Sequence, residues 1–380
     1  MRTIKKSELL MYLSILFYCT ALFLKRVNLP FEQNLYNKAM MLAAVIALFN
    51  IVFDSKMGLR QILFTAFLGG LLFVDSIPTG NHEIFYLFLI IWGCRNMDAE
   101  KVIRFIFGIV FVLTLCVAAF TFLGVIENNV HITNDVRKRY DMGYSVWSIL
   151  PFQYLSLSMM SLYLSKKKVK PLPVVLLIGI GGLIGILTDV KSACLINAIG
   201  LIGLYFAQYI KIRRWNKLRI FIWIPELLTL LSYVAVKLYD RGIGFFARLN
   251  VILNYRLMYP AMGLEQYGIH LFSNPDVQWA SEAESYFGID NCYLNVLVTW
   301  GVVGLLVVLC IYSFLIDYCI KKEDLQLFII TMMMVFVALM WSRLLVLIEA
   351  EILICYSDVF LTPFVKKRDF SLTKKKQSYI

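Results

Sequence analysis

The sequence predicts an all-α polytopic membrane protein with about twelve transmembrane helices and one large external loop. Of its 380 residues, 60% are hydrophobic and only 16% are charged, whereas a soluble domain carries roughly 45–50% apolar and about 25% charged residues. A mean hydropathy of +0.74 agrees with this composition. Because a water-soluble globule cannot bury so much apolar surface, the bilayer is the expected solvent.

Each predicted span is an apolar run that reaches, alone or with its flanking residues, the roughly 20 residues that a helix needs to cross the hydrocarbon. The second, third and fourth runs are short, and the twelfth contains Glu349, Glu351 and Asp358, so counts of eleven or ten are alternatives. The runs are 9–24, 39–53, 62–74, 84–94, 102–125, 145–165, 171–188, 192–210, 220–236, 293–316, 326–342 and 344–364.

These spans divide the chain into four parts. Nine helices lie within 1–238, a large extracytoplasmic loop with the predicted active site is 239–292, three helices lie within 293–365, and a basic cytoplasmic tail is 366–380. With the N-terminus in the cytoplasm, the cytoplasmic segments together with Arg104, just inside the fifth span, hold 25 of the 37 Lys and Arg residues, as the positive-inside tendency predicts. An even number of spans returns the tail to that side, so both termini are expected to be cytoplasmic.

The net charge of +12 is therefore explained by the basic residues of the cytoplasmic segments, which orient the spans and are expected to contact anionic membrane lipid. No nucleic acid is expected as a partner. The eight cysteines include no Cys-x-x-Cys pair and no zinc spacing with histidine, and the external loops contain no Asp-x-Asp. Cysteines within apolar runs behave as small hydrophobes. Neither a metal nor another cofactor is predicted.

The segments predicted to be external are irregular and rich in arginine. Segment 239–291 is far longer than the about 15 residues beyond which structureless loops are usually functional, and its apolar stretches predict that it packs against the membrane face. Guanidinium groups bind phosphate in bidentate fashion and stay charged when partly buried. The alternative is a solvated loop of mixed charge. The external arginines are Arg137, Arg139, Arg241, Arg248 and Arg256.

Two stretches of this region resemble Wzy-type polysaccharide polymerases and their relatives, the O-antigen ligases. Segment 255–263 carries an arginine early in the large loop, and 290–304 carries an Asp-Asn pair, a Tyr-Leu and a Gly-x-x-Gly. Segments 139–144 and 187–192 are similar to two further stretches of these families. The chain departs from the pattern at Lys191, where an arginine is usual, and it lacks the Pro-Asn expected after 144. Asp290 occupies the position at which the ligases have a histidine, and this difference favours a polymerase over a ligase.

The resemblance implies a GT-C-like membrane glycosyltransferase in the bacterial cytoplasmic membrane. Its implied substrate is a polyprenyl-pyrophosphate-linked oligosaccharide, whose repeat units it joins into capsular, exo- or O-antigen polysaccharide at the outer leaflet, without a metal. A flippase and a chain-length regulator are implied partner proteins. The alternatives are a flippase or transporter of lipid-linked oligosaccharide and a ligase that transfers the glycan to another acceptor. Flippases and transporters usually show two similar halves, and the sequence shows no internal repeat.

The resemblance also directs attention to particular cations. Negative charge develops on the leaving pyrophosphate in the transition state, where a preorganised cation is most effective. Arg256 is the first candidate for this catalytic and pyrophosphate-binding role, followed by Arg139, Arg248 and Lys191.

A sugar hydroxyl that attacks must lose its proton, which a carboxylate can accept. Asp290 is the candidate catalytic base, and the alternates are Glu282, Glu284 and His270. A competing interpretation is that Asp290 and Asn291 only cap the tenth helix, as these residue types do.

Charged residues within predicted spans are costly and are functional candidates. Arg343 near the outer end of the last two spans is expected either to pair with Glu349 or Glu351, or to add a cation to the donor site.

Overall fold

The computed structural model describes residues 6–29, 33–53, 58–133, 137–165, 168–277, 288–342 and 345–361, and within them the chain is mostly helical. Two short strands, β1 (Val130–Thr133) and β2 (Arg137–Tyr140), form an antiparallel hairpin, and two 3₁₀ helices are Trp215–Trp223 and Glu351–Cys355. The α-helices are α1 (Lys6–Leu24), α2 (Gln33–Phe53), α3 (Leu59–Ser76), α4 (Glu83–Gly93), α5 (Ala99–Phe122), α6 (Ile149–Leu164), α7 (Pro171–Thr188), α8 (Lys191–Ala207), α9 (Ile224–Asp240), α10 (Gly244–Ile252), α11 (Met258–Tyr267), α12 (Cys292–Thr299), α13 (Gly301–Lys322), α14 (Leu325–Val337) and α15 (Tyr356–Leu361).

Seven helical stretches in the described residues are long and apolar enough to cross a bilayer. Four shorter apolar helices, α4, α6, α8 and α14, have 10–17 residues. The prediction of an all-α membrane protein is therefore confirmed, and the count of about twelve spans stays a prediction. The seven stretches are Ser7–Leu24, Asn34–Phe53, Leu59–Ser76, Ala99–Phe122, Pro171–Thr188, Trp215–Asp240 and Gly301–Lys322.

Polar residues at helix ends explain why some helices are longer than their predicted spans. Helix α2 begins at Gln33, six residues before the apolar run at 39, and α3 extends to Ser76. Such residues are helical but do not contribute to an apolar run. Side-chain caps and a proline mark other helix starts: Asp98 accepts from Glu100 N, Asp324 accepts from Leu327 N, and Pro171 opens α7.

Contacts between connecting segments define two ends of the helices. We call one end the loop face; it holds 25–29, 77–82, 137–148, 189–190, 241–277, 288–291 and 345–350. Here Asn28 N donates to Gly143 O at 2.9 Å, Lys25 Nζ lies 2.8 Å from Glu83 Oε1, and Ser273 N donates to Asp75 Oδ1 at 3.0 Å. Apart from 145–148 and 345–350, which were assigned to predicted spans, the loop face corresponds to the segments that the sequence predicts to be external.

The opposite face holds 94–98, 168–170, 208–214 and 323–324. Tyr163 Oη donates to Asp324 Oδ2 at 3.2 Å, and Gln208 Nε2 donates to Val169 O at 3.2 Å. These segments correspond to those predicted to be cytoplasmic, and the predicted tail 366–380 lies outside the described residues.

The prediction of one continuous tenth span at 293–316 is wrong, because the helix breaks at Trp300 into α12 and α13. Gly301 has a φ of 68°, a conformation that favours glycine. The external loop enters this break: Val302 N donates to His270 O at 2.9 Å and Val303 N donates to Leu271 O at 3.0 Å. The loop thus packs onto the helix end through its backbone, and the apolar sequence hides the break.

We expect Gly301→Ala to destabilise the protein by about 2 kcal/mol or more, because left-handed backbone alone disfavours an L-residue by roughly 1–2 kcal/mol. A Cβ at this position would also lie 2.5 Å from Phe272 O and 2.6 Å from His270 O. The thermal unfolding midpoint in detergent measures the effect. Gly182→Ala in α7 is the matched control, since no heavy atom lies within 4 Å of its Cβ position. Equal midpoints for the two variants would contradict the prediction.

The twelfth predicted span, 344–364, is also not one continuous α-helix. Its described part contains the 3₁₀ helix Glu351–Cys355 followed by α15, and residues 347–357 are buried throughout. Irregular backbone at membrane depth is tolerated where protein covers it. The segment is therefore an interior element of the bundle.

A buried ionic cluster joins this segment to the loop after α1. Arg26 Nη1 contacts Glu349 Oε1, and the two residues are 6% and 2% exposed. Trp341 Nε1 donates to Glu349 Oε2 at 2.6 Å, and Ser156 Oγ donates to Glu351 Oε2. The structure thus supplies Arg26 as the cation for Glu349, and Arg343 lies outside the described residues.

Candidate functional site

The candidate site residues lie on the loop face in two charged groups. The Arg256 cluster consists of Arg256, Asp290 and the turn that positions Arg256. The Arg139 cluster consists of Arg139, Asp189, Lys191 and Trp147. Each cluster joins residues that are distant in sequence.

Arg256 follows a turn that is unusual for non-glycine residues. Asn254 and Tyr255 are consecutive left-handed residues with φ of 53° and 63°, conformations that cost energy and persist only where surrounding contacts impose them. The buried Asn250 supplies these contacts: its Oδ1 accepts from Leu257 N and from Met258 N, each at 3.0 Å. The turn therefore determines where Arg256 emerges, just before α11.

We expect Asn250→Ala to destabilise the loop by about 1–3 kcal/mol, the typical effect of leaving buried donors without their acceptor. Asn250→Asp keeps an acceptor oxygen at the same place and is the matched control. Limited proteolysis of 241–277 and the thermal midpoint measure the change. Cleavage of the alanine variant at the wild-type rate would show that another contact holds the turn.

Arg256 and Asp290 form an ion pair, with Nε 3.3 Å from Oδ2. Their side chains are 26% and 37% exposed, so a ligand can reach both groups from the loop face. The pair brings together the first candidate cation and the candidate base of the sequence analysis, which lie 34 positions apart in the chain.

Helix capping at this position belongs to Asn291 rather than to Asp290. Asn291 Oδ1 accepts from Leu294 N at 3.2 Å, and its Nδ2 donates to Ser232 Oγ at 3.0 Å. The capping interpretation thus holds for Asn291, which fixes the start of α12 and holds Asp290 beside Arg256.

The Arg139 cluster surrounds one carboxylate. Arg139 on β2 places Nε 3.6 Å from Asp189 Oδ2, and its Cζ lies 5.1 Å from the centre of the Trp147 ring. Lys191 Nζ is 3.9 Å from Asp189 Oδ1 and its side chain is 83% exposed. Two cations flanking one anion leave a positive excess, and the cation–π contact orients the guanidinium.

Asp141 anchors the hairpin that carries Arg139. Its buried carboxylate accepts from Asn129 N and Gly143 N, each at 3.0 Å, and from Asn28 Nδ2 at 2.8 Å. Burial also raises the pKa of the neighbouring Tyr144 phenol well above its ordinary value. The hairpin is therefore tied to the connection between α1 and α2.

The other predicted site residues lie apart from these pairs. Arg248 is on the exposed surface of α10. His270 is also exposed, and its Nε2–H donates to Tyr267 O at 2.8 Å. Glu282 and Glu284 lie outside the described residues, and no cluster of His, Cys, Asp and Glu suited to a metal occurs within the described part of the chain.

Sequence reasoning missed three residues that organise the site: Asn250, Trp147 and Asp189. Asp189 had a visible signal, since it lies within the 187–192 stretch that drew attention to Lys191. Asn250 had none, because its role depends on how the backbone folds around it.

Fold and site together define an all-α membrane protein with paired charges on one face of its helices. Comparison with protein-family models, curated proteins and solved structures gives no match to this chain.

Proposed function

We propose that this protein is a membrane glycosyltransferase of the Wzy type. It polymerises polyprenyl-pyrophosphate-linked oligosaccharide repeat units into capsular, exo- or O-antigen polysaccharide at the outer leaflet of the bacterial cytoplasmic membrane. The observation that carries the proposal is the accessible Arg256–Asp290 pair, which offers a cation and a carboxylate at one point of the loop face.

The chemistry requires both charges of this pair. Asp290 accepts the proton of the acceptor hydroxyl as the hydroxyl oxygen attacks the anomeric carbon of the donor. The bond between that carbon and the pyrophosphate oxygen breaks, and the electron pair stays on the pyrophosphate. Arg256 stabilises the developing charge, as preorganised cations do in a partly desolvated site. The proton remains on Asp290 until it passes to solvent.

The ion pair itself gives the site a resting state. In the absence of donor, the Asp290 carboxylate is engaged by the Arg256 guanidinium. When the more highly charged pyrophosphate engages Arg256, it displaces the Asp290 carboxylate, which is then available to the acceptor hydroxyl. Donor binding thus prepares the base for the acceptor.

The remaining cations have supporting roles in the proposal. Arg139 and Lys191 have a positive excess over Asp189, which suits a second anionic group such as the pyrophosphate of the acceptor lipid. Arg248 is exposed on α10 and is placed to attract lipid phosphate to the loop face. A flippase that delivers repeat units to the outer leaflet and a chain-length regulator are the proposed partner proteins in the cell, and neither takes part in the chemical step.

The proposal includes twelve crossings with both termini in the cytoplasm. The seven long helices and the four shorter ones supply eleven. Segment 345–361 is proposed as the twelfth, because Glu349 contacts Arg26 at the loop face and Asp358 accepts from Tyr318 Oη at 2.8 Å near the opposite end of α13.

One observation favours transport as a second candidate function. Arg26, Glu349 and Glu351 form a buried charged group beside an interrupted helical segment, which is typical of transporter sites. A flippase for lipid-linked oligosaccharide is therefore the alternative, and a ligase that uses the same donor site is another.

Purified protein in detergent, supplied with lipid-linked repeat units, distinguishes these functions. We expect polymer of increasing length, since the reaction needs no membrane compartment. Failure to form any glycosidic bond under conditions in which the protein stays folded would contradict the polymerase, and transfer of a single unit to a different acceptor would indicate the ligase.

A further inference from the structure

A cleft of about 540 Å³ lies at the loop-face end of α9. Its basic residues, Lys237 and Arg241, line it together with the acidic Asp240, which offsets part of their charge. A second cleft, on the opposite face, has no such counter-charge and lies far from the candidate site. Its volume is about 530 Å³, and it lies between the end of α6 and the start of α7. Its lining is Ser161, Leu162, Ser165, Lys168, Val169, Lys170, Pro173, Leu176 and Leu177.

The mouth of this cleft is basic and its floor is apolar. Lys168 and Lys170 are both exposed, and none of the described residues that line the cleft is acidic. The two serine hydroxyls donate within α6, Ser161 to Ser158 O at 2.7 Å and Ser165 to Leu162 O at 2.8 Å. Among the side chains that line the cleft, the donors that remain for a ligand are the two ammonium groups, each with three N–H bonds.

The segment that carries the lysines is held in place. Gln208 Oε1 accepts from Val169 N at 2.8 Å, and Gln208 Nε2 donates back to Val169 O at 3.2 Å. Lys168 Nζ lies 5.8 Å from the centre of the Tyr209 ring. The cations therefore belong to a fixed connection, tied to the end of α8.

An apolar stripe leads away from the cleft along α7. Leu176, Ile180 and Leu183 follow one another at helical spacing and are all exposed, as expected of a surface that contacts acyl chains. A ligand that fits both parts has an anionic headgroup at the lysines and hydrocarbon along the stripe.

From this arrangement we infer that the cleft between α6 and α7 is a binding site for an acidic phospholipid of the surrounding leaflet. The headgroup phosphate lies between Lys168 and Lys170, and an acyl chain follows Leu176 and Ile180. Charge complementarity and the continuous apolar stripe select a membrane lipid. Basic pockets between helices near the cytoplasmic surface recognise anionic headgroups in this way. The inference does not depend on the polymerase proposal.

Native mass spectrometry of the detergent-solubilised protein, titrated with phosphatidylglycerol, tests this site. We expect Lys168→Gln combined with Lys170→Gln to weaken phosphatidylglycerol binding by about 30-fold, given the typical contribution of each lysine near a lipid phosphate. Binding of phosphatidylcholine should not change. The matched control is Lys211→Gln combined with Lys217→Gln, which removes the same charge from exposed positions on the same face.

Three results would overturn the inference. The first is that the Lys168 and Lys170 variant binds phosphatidylglycerol as tightly as the wild type does. The second is that the control variant loses as much affinity as this variant, which would indicate diffuse electrostatic attraction. The third is that soluble glycerol phosphate competes as strongly as the intact lipid, which would indicate a site for free phosphate. A wild-type thermal midpoint for both variants ensures that any change reports on binding.

Discussion

Replacing Arg256 with alanine is expected to lower the rate of repeat-unit polymerisation by at least about 100-fold, the usual effect of removing one preorganised group that stabilises transition-state charge. Arg256 is accessible, positioned by a constrained turn and 3.3 Å from Asp290. The rate of polymer formation from purified lipid-linked repeat units measures the effect. Single repeat units should accumulate on the lipid, and the protein should remain folded.

Asp290→Asn should separate binding from turnover. Loss of a general base typically lowers a rate by about 10²–10⁴-fold. The same change removes the anion that competes with pyrophosphate for Arg256. Binding of polyprenyl pyrophosphate should therefore become tighter, by up to about fivefold, since a partly exposed ion pair contributes about 0.2–1 kcal/mol. Unchanged turnover with unchanged affinity would show that Asp290 takes no part in the reaction.

A double variant distinguishes a catalytic pair from a structural ion pair. If the two charges only stabilise the loop, Arg256→Ala with Asp290→Ala removes both and should restore activity relative to either single variant, as a mutant cycle detects. The catalytic interpretation predicts a double variant no more active than the slower single variant. Arg219→Ala with Asp317→Ala is the matched control, an Arg–Asp pair 3.9 Å apart on the opposite face, and it should keep wild-type activity.

Arg256 and Asp290 could be predicted from the sequence because each departs from a general tendency. Arg256 lies on the side predicted to be poor in basic residues, and Asp290 lies where a polar loop meets an apolar span. Both signals depend only on residue type and position relative to the spans. The resemblance of 255–263 and 290–304 to membrane polymerases then selected them from other charged residues in the loops.

The turn before Arg256 could not be predicted in the same way. Its left-handed residues are Asn254 and Tyr255, with no glycine to mark them. The side chain that holds the turn, Asn250, accepts from backbone amides that follow these two residues in the chain. A similar limit applies to the break at Trp300. The surrounding residues are apolar on both sides, and only the docking of 270–272 reveals why Gly301 is left-handed.

The buried ion pair of Arg26 and Glu349 could be predicted only in part from neighbouring sequence. Sequence proximity suggested Arg343 as the partner of Glu349 or Glu351, and Arg343 lies outside the described residues. The cation that the structure places on Glu349 is Arg26, 323 residues away. Hydropathy identifies a carboxylate inside an apolar run as costly, and it therefore predicts that a compensating group exists. Which segment supplies that group depends on helix packing, which the apolar pattern does not specify.

Arg26→Ala is expected to destabilise the protein by about 3–5 kcal/mol, because breaking a buried ion pair leaves an uncompensated charge. Glu349 is 2% exposed, and its second oxygen accepts from Trp341 Nε1 at 2.6 Å. The measurement is the thermal midpoint of the detergent-solubilised protein. The matched control is Lys25→Ala, which removes the neighbouring ion pair with Glu83. That pair is only partly buried, with side-chain exposures of 24% for Lys25 and 30% for Glu83. Its expected cost is below about 1 kcal/mol.

Arg26→Met combined with Glu349→Gln should recover much of the lost stability. The double variant removes both buried charges, and glutamine keeps an acceptor for the Trp341 indole. Uncharged replacements of buried pairs are often neutral or stabilising. A double variant as unstable as the sum of the single variants would show that the two residues are not coupled, and the proposed ion pair would then be wrong.

The same double variant also separates the enzyme from the flippase. A polymerase uses Arg256 and Asp290 on the loop face, so a folded protein with a neutral Arg26–Glu349 position should still form polymer in detergent. A flippase that moves an anionic lipid through the bundle needs the buried charge instead. Loss of lipid-linked oligosaccharide translocation in vesicles, at wild-type stability and without any polymerisation by the parent protein, would favour transport and reject the polymerase.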